Sequence, residues 1–175
     1  MSRGWRIIPL ILLLWLVTGL AWRLVKPDDP AIPSQMVNRP LPAFALDPAL
    51  PGKPGLRSAD LATGQPHLLN VFASWCVPCV GEVSVLGELR QRGVKIDAIA
   101  VRDRPDAIAA FLARNGDPYE HIGADPRSSV QISLGSSGVP ETFVIDGKGM
   151  IRHQYIGPLS RANIAGVMDQ LKALR

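Results

Sequence analysis

From residue 66 onward, the chain alternates apolar runs with amphipathic segments. The run Leu68-Leu-Asn-Val-Phe-Ala73 is apolar at nearly every position, which is typical of a strand buried on both faces. Residues 94–101 form a second run of this kind. Between them, apolar residues recur at helical spacing from about residue 76 to residue 91, and Gly93 follows as a stop signal. The pattern predicts a strand, a helix and a second strand, with both strands buried.

The next segments predict another helix and a small insertion. Residues 105–115 have helical periodicity, with Asp103 before them as a candidate cap and Gly116 after their end. Residues 119–122 predict a short strand, and residues 126–134 predict a helix.

The remaining pattern predicts a hairpin and a terminal helix. Residues 142–145 and 150–156 flank Asp146-Gly-Lys-Gly149, which is a strong hairpin signal. Residues 160–174 are amphipathic, with Ser160 as a candidate cap, and residues 41–65 predict a small hairpin or loop element. The order of elements predicts an α/β fold in which parallel strands are followed by an antiparallel edge.

Residues 1–25 contain an uncharged apolar stretch between Arg6 and Arg23. At about 1.5 Å per residue it spans roughly 24 Å, and the flanking tryptophan and arginine side chains extend its reach across a bilayer. It predicts a transmembrane signal-anchor, with a cleaved secretory signal as the alternative. The proline-rich residues 26–40 predict a semi-rigid tether, and residues 41–175 the globular domain. Both interpretations place that domain outside the cytoplasm.

The net charge of +4 does not indicate a nucleic-acid-binding protein. Lysine and arginine are scattered singly, without a basic run or interleaved aromatic residues. Charged residues make up 19% and hydrophobic residues 47% of the chain, so a packed core is available and wholesale disorder is not expected.

Cys76 and Cys79 are the only cysteines, and they lie where the first buried strand passes into the helix. At a helix N-terminus, unpaired N–H groups and the helix dipole stabilise the thiolate of the first cysteine. The second cysteine lies one turn further on, where it can attack a mixed disulfide and release the product. Pro78 restricts the conformation of this first turn. The arrangement predicts a thiol–disulfide oxidoreductase.

Three other uses of the cysteine pair fit the sequence less well. A zinc site needs two more ligands, and the chain has no second cysteine pair. A c-type haem attachment needs a histidine directly after the second cysteine, where this chain has Val80. A purely structural disulfide would close too small a ring to stabilise the fold. We therefore predict no metal and no cofactor besides the redox-active dithiol. The histidines lie far apart in the sequence, at His67, His121 and His153.

Two motifs resemble one known family. Residues 70–79 read Asn-Val-Phe-Ala-Ser-Trp-Cys-Val-Pro-Cys, and residues 138–146 read Gly-Val-Pro-Glu-Thr-Phe-Val-Ile-Asp. With the apolar N-terminus and the tether, they resemble the CcmG/DsbE family, the membrane-anchored thiol:disulfide interchange proteins of cytochrome c biogenesis. The resemblance covers about residues 38–175. It implies a thioredoxin-like fold, with a central mixed sheet flanked by helices, an inserted strand and helix, and one N-terminal transmembrane helix.

The resemblance also implies roles for residues that surround the cysteines. Pro140 is expected to be a cis-proline that faces Cys76, and Val139 before it to present its backbone groups to a substrate strand. Trp75 is expected to cover one side of the dithiol, with a core position as the open alternative. Glu141 is expected to place negative charge beside the substrate groove and to bias the choice of partner.

The remaining expectations concern proton transfer. Glu82 matches the acidic position of the family, and a carboxylate buried near a thiol can relay the proton that Cys79 must lose. A solvated glutamate on the helix surface is the open alternative. By the resemblance, Asn70 occupies the strand position at which ordinary thioredoxins have a buried aspartate. Unlike a carboxylic acid, an amide has no proton to give. Glu82 or Glu141 must therefore supply any proton transfer that the reaction needs.

The resemblance implies a single-pass protein of the bacterial inner membrane with its catalytic domain in the periplasm. It would act as a dithiol reductase that receives electrons from a transmembrane thiol reductase of the DsbD/CcdA type. Its clients would be apocytochrome c or cytochrome c maturation proteins, whose thiols must be reduced for haem attachment. Two alternatives stay open, namely a TlpA-like reductase for another extracytoplasmic client and a non-catalytic metal or haem chaperone that uses the cysteine pair as ligands.

Overall fold

The N-terminal helix and the globular domain belong to separate units of the chain. The computed structural model describes residues 8–25 and 36–175. Helix α1 spans Ile8–Val25. Within the described ranges, no helix combines the length and the apolar character that crossing a membrane requires. The transmembrane helix that the sequence predicts in residues 1–25 stays a prediction.

The globular domain is built from short strands and helices that alternate along most of its length. Two 3-10 turns, at Ser58–Leu61 and Arg161–Asn163, lie among them. In chain order the elements are β1 (Ala45–Leu46), β2 (Leu56–Arg57), β3 (His67–Phe72), α2 (Val77–Gln91), β4 (Ile96–Val101), α3 (Pro105–Asn115), β5 (Ile122–Asp125), α4 (Ser129–Ser133), β6 (Glu141–Ile145), β7 (Ile151–Ile156) and α5 (Ile164–Ala173).

Five strands form the central sheet in the order β5-β4-β3-β6-β7. β3, β4 and β5 run parallel, whereas β6 is antiparallel to β3 and β7 is antiparallel to β6. Every residue of β3, β4 and β6 is buried, as the mostly apolar runs in β3 and β4 predict. The mixed α/β sheet is confirmed. β1 and β2 pair separately as the small element that precedes it.

The inserted strand and helix begin later than the sequence predicts. β5 starts at Ile122 and α4 at Ser129, about three residues after the expected positions. Asp125 explains the start of α4, because its carboxylate accepts hydrogen bonds from successive backbone N–H groups in the first turn. The terminal helix α5 also starts late, at Ile164, because a 3-10 turn precedes it.

The last residues of the predicted tether belong to the domain. The N–H of Asn38 donates to the carbonyl of Ile151 (2.7 Å), and the N–H of Ile151 donates to the carbonyl of Arg39 (2.9 Å). Pro40 pairs with Met150 in the same antiparallel bridge. Proline lacks an N–H group and is tolerated at a sheet edge, so the proline-rich composition did not prevent this pairing. The domain therefore begins before residue 41, where the sequence placed its boundary.

A buried carboxylate joins the starts of three strands. Asp97 on β4 accepts hydrogen bonds from Nδ1 of His67 (2.8 Å) and from Nδ1 of His121 (2.7 Å). Nε2 of His67 contacts the hydroxyl of Thr63 (2.9 Å). Asp97 and His67 are buried, and His121 is partly exposed. The cluster holds the N-terminal ends of β3, β4 and β5 together. The cysteines lie beyond the opposite, C-terminal end of β3.

We expect Asp97→Ala to lower the free energy of unfolding by about 3 kcal/mol, because it removes the acceptor of two imidazole N–H groups. Urea unfolding at neutral pH measures the effect. Asp169→Ala is the control, because it removes an exposed carboxylate on α5 and should change the free energy by less than about 0.5 kcal/mol. Equal effects of the two substitutions would contradict a structural role for the cluster.

Candidate functional site

Cys76 and Cys79 lie at the junction between β3 and α2. β3 ends at Phe72, and after a short connection Cys76 takes the N-cap position of α2. Sγ of Cys76 accepts a hydrogen bond from the N–H of Cys79 (3.2 Å), and the two sulfurs form a disulfide of 2.03 Å. In the reduced protein, this position exposes the Cys76 sulfur to the N–H groups and dipole of the helix, which favour a thiolate.

The two cysteines differ in their contact with solvent. Both are buried, but Cys76 keeps 4% of its surface exposed and Cys79 only 1%. The neighbouring side chains are exposed and apolar, namely Trp75 (57%), Val77 (81%) and Pro78. This apolar rim surrounds Cys76, which is slightly less covered than Cys79.

Trp75 lies on the surface, so its alternative assignment as a core aromatic is wrong. Its indole N–H donates to the carbonyl of Arg102 (3.2 Å), a residue with the left-handed φ of 46°. The guanidinium of Arg102 donates to the hydroxyl of Ser128 (2.9 Å). Asp103 accepts hydrogen bonds from the N–H and hydroxyl of Ser74, so it holds the cysteine loop and does not cap α3. The loops after β4 and β5 thus position the loop that carries the cysteines.

The peptide bond between Val139 and Pro140 is cis, as the resemblance implies. Continuing the register of β6 against β3 places Pro140 opposite Phe72. Phe72 ends β3, and a short connection leads from it to Cys76. The proline and the cysteines therefore lie at the same end of the central strands. Val139 is half-buried, and within residues 36–175 its backbone N–H and carbonyl have no hydrogen-bond partner. These two groups are therefore available to an extended peptide.

Glu82 is buried on α2 one helical turn beyond Cys79, so the two residues share a helix face. Its carboxylate accepts hydrogen bonds from Nδ2 of Asn70 (3.0 Å), the N–H of Leu159 (2.9 Å) and the hydroxyl of Thr142 (3.3 Å). Burial raises the pKa of Glu82, because the charged form loses its hydration, and the three hydrogen bonds oppose that rise. The alternative of a solvated surface glutamate is excluded.

Asn70 connects Glu82 to a tyrosine that no sequence pattern marks. Its Nδ2 also donates to the hydroxyl of Thr142 (2.9 Å), and its Oδ1 accepts a hydrogen bond from the hydroxyl of Tyr119 (2.9 Å). Tyr119 is buried, and its ring stacks on Phe72 with centroids 5.0 Å apart. Because 49 residues separate Asn70 from Tyr119, no local spacing could have linked them.

Glu141 does not expose its carboxylate to the groove, so the expectation of a surface charge there is corrected. The side chain is buried, and its Oε1 accepts hydrogen bonds from the N–H groups of Ser137 (2.8 Å) and Gly138 (3.2 Å). The hydroxyl of Ser137 donates to the same oxygen (2.7 Å), and Gln154 donates to Oε2 (2.6 Å). These four hydrogen bonds satisfy both carboxylate oxygens inside the protein. Glu141 therefore fastens the segment that precedes the cis-proline.

We expect Glu141→Ala to slow disulfide exchange about tenfold, which corresponds to about 1.4 kcal/mol, because the segment before the cis-proline loses its acceptor. Glu141→Gln keeps an oxygen for these donors and removes the charge, so it should slow exchange less than about threefold. Rates with an oxidised peptide measure both. Equal losses in the two variants would restore the charge as the important property.

One group of residues in the described ranges has the geometry to hold a metal ion, and it lies away from the cysteines. Ligand atoms of Asp97, Glu120 and His121 lie within 4.8 Å of one another. Both oxygens of Asp97 already accept hydrogen bonds, from His67 and from His121. The group is therefore accounted for as a structural network. The dithiol itself carries the electrons of thiol–disulfide exchange.

Comparisons with known proteins agree with this geometry. The redoxin family model matches residues 36–171. The thiol:disulfide interchange protein HelX of Rhodobacter capsulatus is 37% identical over 174 residues, which cover 99% of this chain and 98% of HelX. The thiol:disulfide interchange protein DsbE of Pseudomonas fluorescens is 40% identical, with coverage of 90% and 86%.

A crystal structure assigned to a thiol:disulfide interchange protein DsbE of Chlorobium tepidum matches with a TM-score of 0.61 and 26% identity. The match covers 77% of this chain and 94% of that one. The chain belongs to the redoxin family and, within it, to the DsbE/CcmG thiol:disulfide interchange proteins, which makes it a thiol:disulfide oxidoreductase with a thioredoxin-like fold.

Proposed function

We propose that the protein is a periplasmic dithiol reductase that reduces the Cys-x-x-Cys-His disulfide of apocytochrome c, or of a partner that delivers it. One observation carries most of this proposal. The sulfur pair lies at a helix N-terminus. It is at the same end of the central strands as the backbone groups of Val139 that have no partner within residues 36–175. A disulfide within an extended peptide can therefore dock and react at one place.

Each turnover transfers two electrons from the protein's dithiol to the substrate disulfide. The Cys76 thiolate attacks one sulfur of the substrate disulfide, which forms a mixed disulfide and releases the other substrate sulfur as a thiolate. The Cys79 thiol then loses its proton to Glu82 and attacks Sγ of Cys76. This step frees the second substrate sulfur and leaves the disulfide between Cys76 and Cys79. The proton on Glu82 passes to a substrate thiolate or to water.

Val139 provides the docking contact. Its N–H and carbonyl can pair with a substrate strand, which holds the substrate disulfide over Cys76. The exposed side chains of Trp75, Val77 and Pro78 add apolar surface around the reacting sulfur. This surface favours a peptide whose residues near the cysteines are apolar.

The location and the electron supply complete the proposal. The apolar residues 1–25 attach the protein to the bacterial inner membrane, and residues from 26 to about 35 tether the domain in the periplasm; the support here is the sequence alone. A transmembrane thiol reductase of the DsbD/CcdA type returns the disulfide to the dithiol. Extraction of membranes with alkaline carbonate tests the attachment, and complete release of the protein would remove it from the proposal.

The decisive experiment incubates the reduced protein with an oxidised peptide that contains Cys-x-x-Cys-His. We expect two new thiols per turnover and a slower reaction with insulin. An equilibrium potential that is strongly oxidising in dithiol buffers would reverse the proposed direction of electron flow. Preferential reduction of an oxidised copper-site protein would indicate the TlpA-like alternative. Tight Cu(I) binding without any exchange would indicate the chaperone.

A further inference from the structure

A buried chain of hydrogen bonds leads from Tyr119 to Glu82. The Tyr119 hydroxyl donates to Oδ1 of Asn70 (2.9 Å), and Nδ2 of Asn70 donates to Oε2 of Glu82 (3.0 Å). All three side chains are buried. They come from three different parts of the domain, namely the segment before β5, the middle of β3, and α2.

The amide of Asn70 has two ends of similar shape and opposite hydrogen-bonding character. In the observed orientation, Nδ2 donates to Glu82 and to Thr142, and Oδ1 accepts from Tyr119. Rotating the amide by half a turn would place Oδ1 about 3 Å from a carboxylate oxygen, which is repulsive when Glu82 is ionised. The protonation state of the Glu82 carboxyl group is therefore coupled to the orientation of the Asn70 side-chain amide.

Tyr119 provides the donor that completes the observed orientation. Burial raises the pKa of the Tyr119 hydroxyl well above its ordinary value, and the nearby charges of Glu82 and Asp117 raise it further. The phenol thus keeps its proton wherever Glu82 titrates. Its ring is held by the stacking contact with Phe72, so the hydroxyl has a fixed position. Without this donor, Oδ1 of Asn70 would be buried with no partner, which is costly.

We propose that Tyr119 is a positioning residue that holds the Asn70 amide with its N–H groups toward Glu82, and thereby lowers the proton affinity of that carboxyl group. The consequence for catalysis rests on the proposed function, in which ionised Glu82 accepts the Cys79 proton. The effect on Glu82 itself does not depend on that function. Hydrogen bonds in such a chain polarise one another, so a change at one end is felt at the other.

The test compares Tyr119→Phe with Tyr155→Phe. These are the only tyrosines in the chain, and the Tyr155 hydroxyl donates to Gln170 (3.1 Å) between β7 and α5. The Glu82 carboxyl carbon is followed by NMR across a pH series in the oxidised full-length protein. We expect Tyr119→Phe to raise the midpoint by about one pH unit and Tyr155→Phe to leave it unchanged.

An unchanged Glu82 midpoint in Tyr119→Phe would overturn the inference, as would an equal shift in Tyr155→Phe. The pH dependence of peptide reduction separates the two proposals. If the midpoint rises and the acid limb of the rate profile rises with it, both are supported. If the midpoint rises while the rate profile stays in place, Tyr119 positions the network and the proton-transfer role of Glu82 fails.

A second measurement keeps the inference testable if Tyr119→Phe does not fold. Biosynthetic replacement of tyrosine by 3-fluorotyrosine, in the Tyr155→Phe background, places one fluorine on the ring of residue 119 and on no other residue. Fluorine makes the phenol a stronger donor without removing the hydrogen bond. We expect the Glu82 midpoint to fall relative to the unlabelled Tyr155→Phe protein. A midpoint that stays or rises would contradict the inference.

Discussion

The variant Cys79→Ser is expected to remain covalently joined to its substrate. Cys76 still attacks the substrate disulfide, but a serine hydroxyl cannot attack the mixed disulfide that results. Turnover should fall by roughly a thousandfold or more, because the step that regenerates free Cys76 is lost. Mass spectrometry of the reduced variant after exposure to the oxidised peptide should show one peptide per chain. A reducing thiol such as dithiothreitol should release that peptide.

The reciprocal variant distinguishes the roles of the two sulfurs. Cys76→Ser leaves Cys79, which is almost wholly covered by the surrounding side chains, as the sole thiol. We expect no peptide adduct under the same conditions and an equally large loss of turnover. Adduct formation in Cys76→Ser at the rate seen in Cys79→Ser would show that the attacking cysteine has been misassigned.

The central sheet was predictable because its signal is local and strong. Residues of β3 and β4 are buried on both faces, so most of their positions are apolar, with Asn70 and Asp97 among the few polar exceptions. The position of the cysteines was predictable for a related reason. A Cys-x-x-Cys pair that follows a buried strand and begins a helical segment must lie at the N-terminus of that helix. Pro140 needed the resemblance, because an isolated proline does not reveal its isomer.

The polar contacts of the site were much less predictable. Glu141 lies next to the cis-proline in the sequence, yet its carboxylate is buried and occupied by Ser137, Gly138 and Gln154. A pattern assigns a residue to a strand, but it does not say which donors converge on its side chain. Asp103 illustrates the same limit, because the usual position of a helix cap is also suited to bonding a neighbouring loop.

Glu82→Gln is the second substitution with a large expected effect. In the proposed reaction the carboxylate accepts the Cys79 proton, which an amide cannot do, so reduction should slow about a hundredfold at neutral pH. The pH dependence should also change. In the unmodified protein the rate falls as the pH drops through the raised pKa of Glu82, because only the ionised group is a base. The variant should lack this acid limb.

Stability gives an independent measure of the same group. Because burial raises the pKa of Glu82 above its ordinary value of 4.5, the folded protein retains a proton at this group that the unfolded chain has lost. The contribution of Glu82 is therefore greatest below pH 4.5 and is lost as the pH rises through the folded-state pKa. Relative to the unmodified protein, Glu82→Gln should become more stable as the pH rises.

Glu88→Gln is the matched control, because Glu88 lies on the same helix but is partly exposed and pairs with Arg92. It should change neither the rate profile nor the pH dependence of unfolding. Denaturant unfolding at several pH values and single-turnover reduction measure the two properties in all three proteins. If Glu82→Gln kept the full rate and the acid limb, Glu82 would serve only as the acceptor for Leu159 and Thr142, and Cys79 would have to lose its proton directly to water.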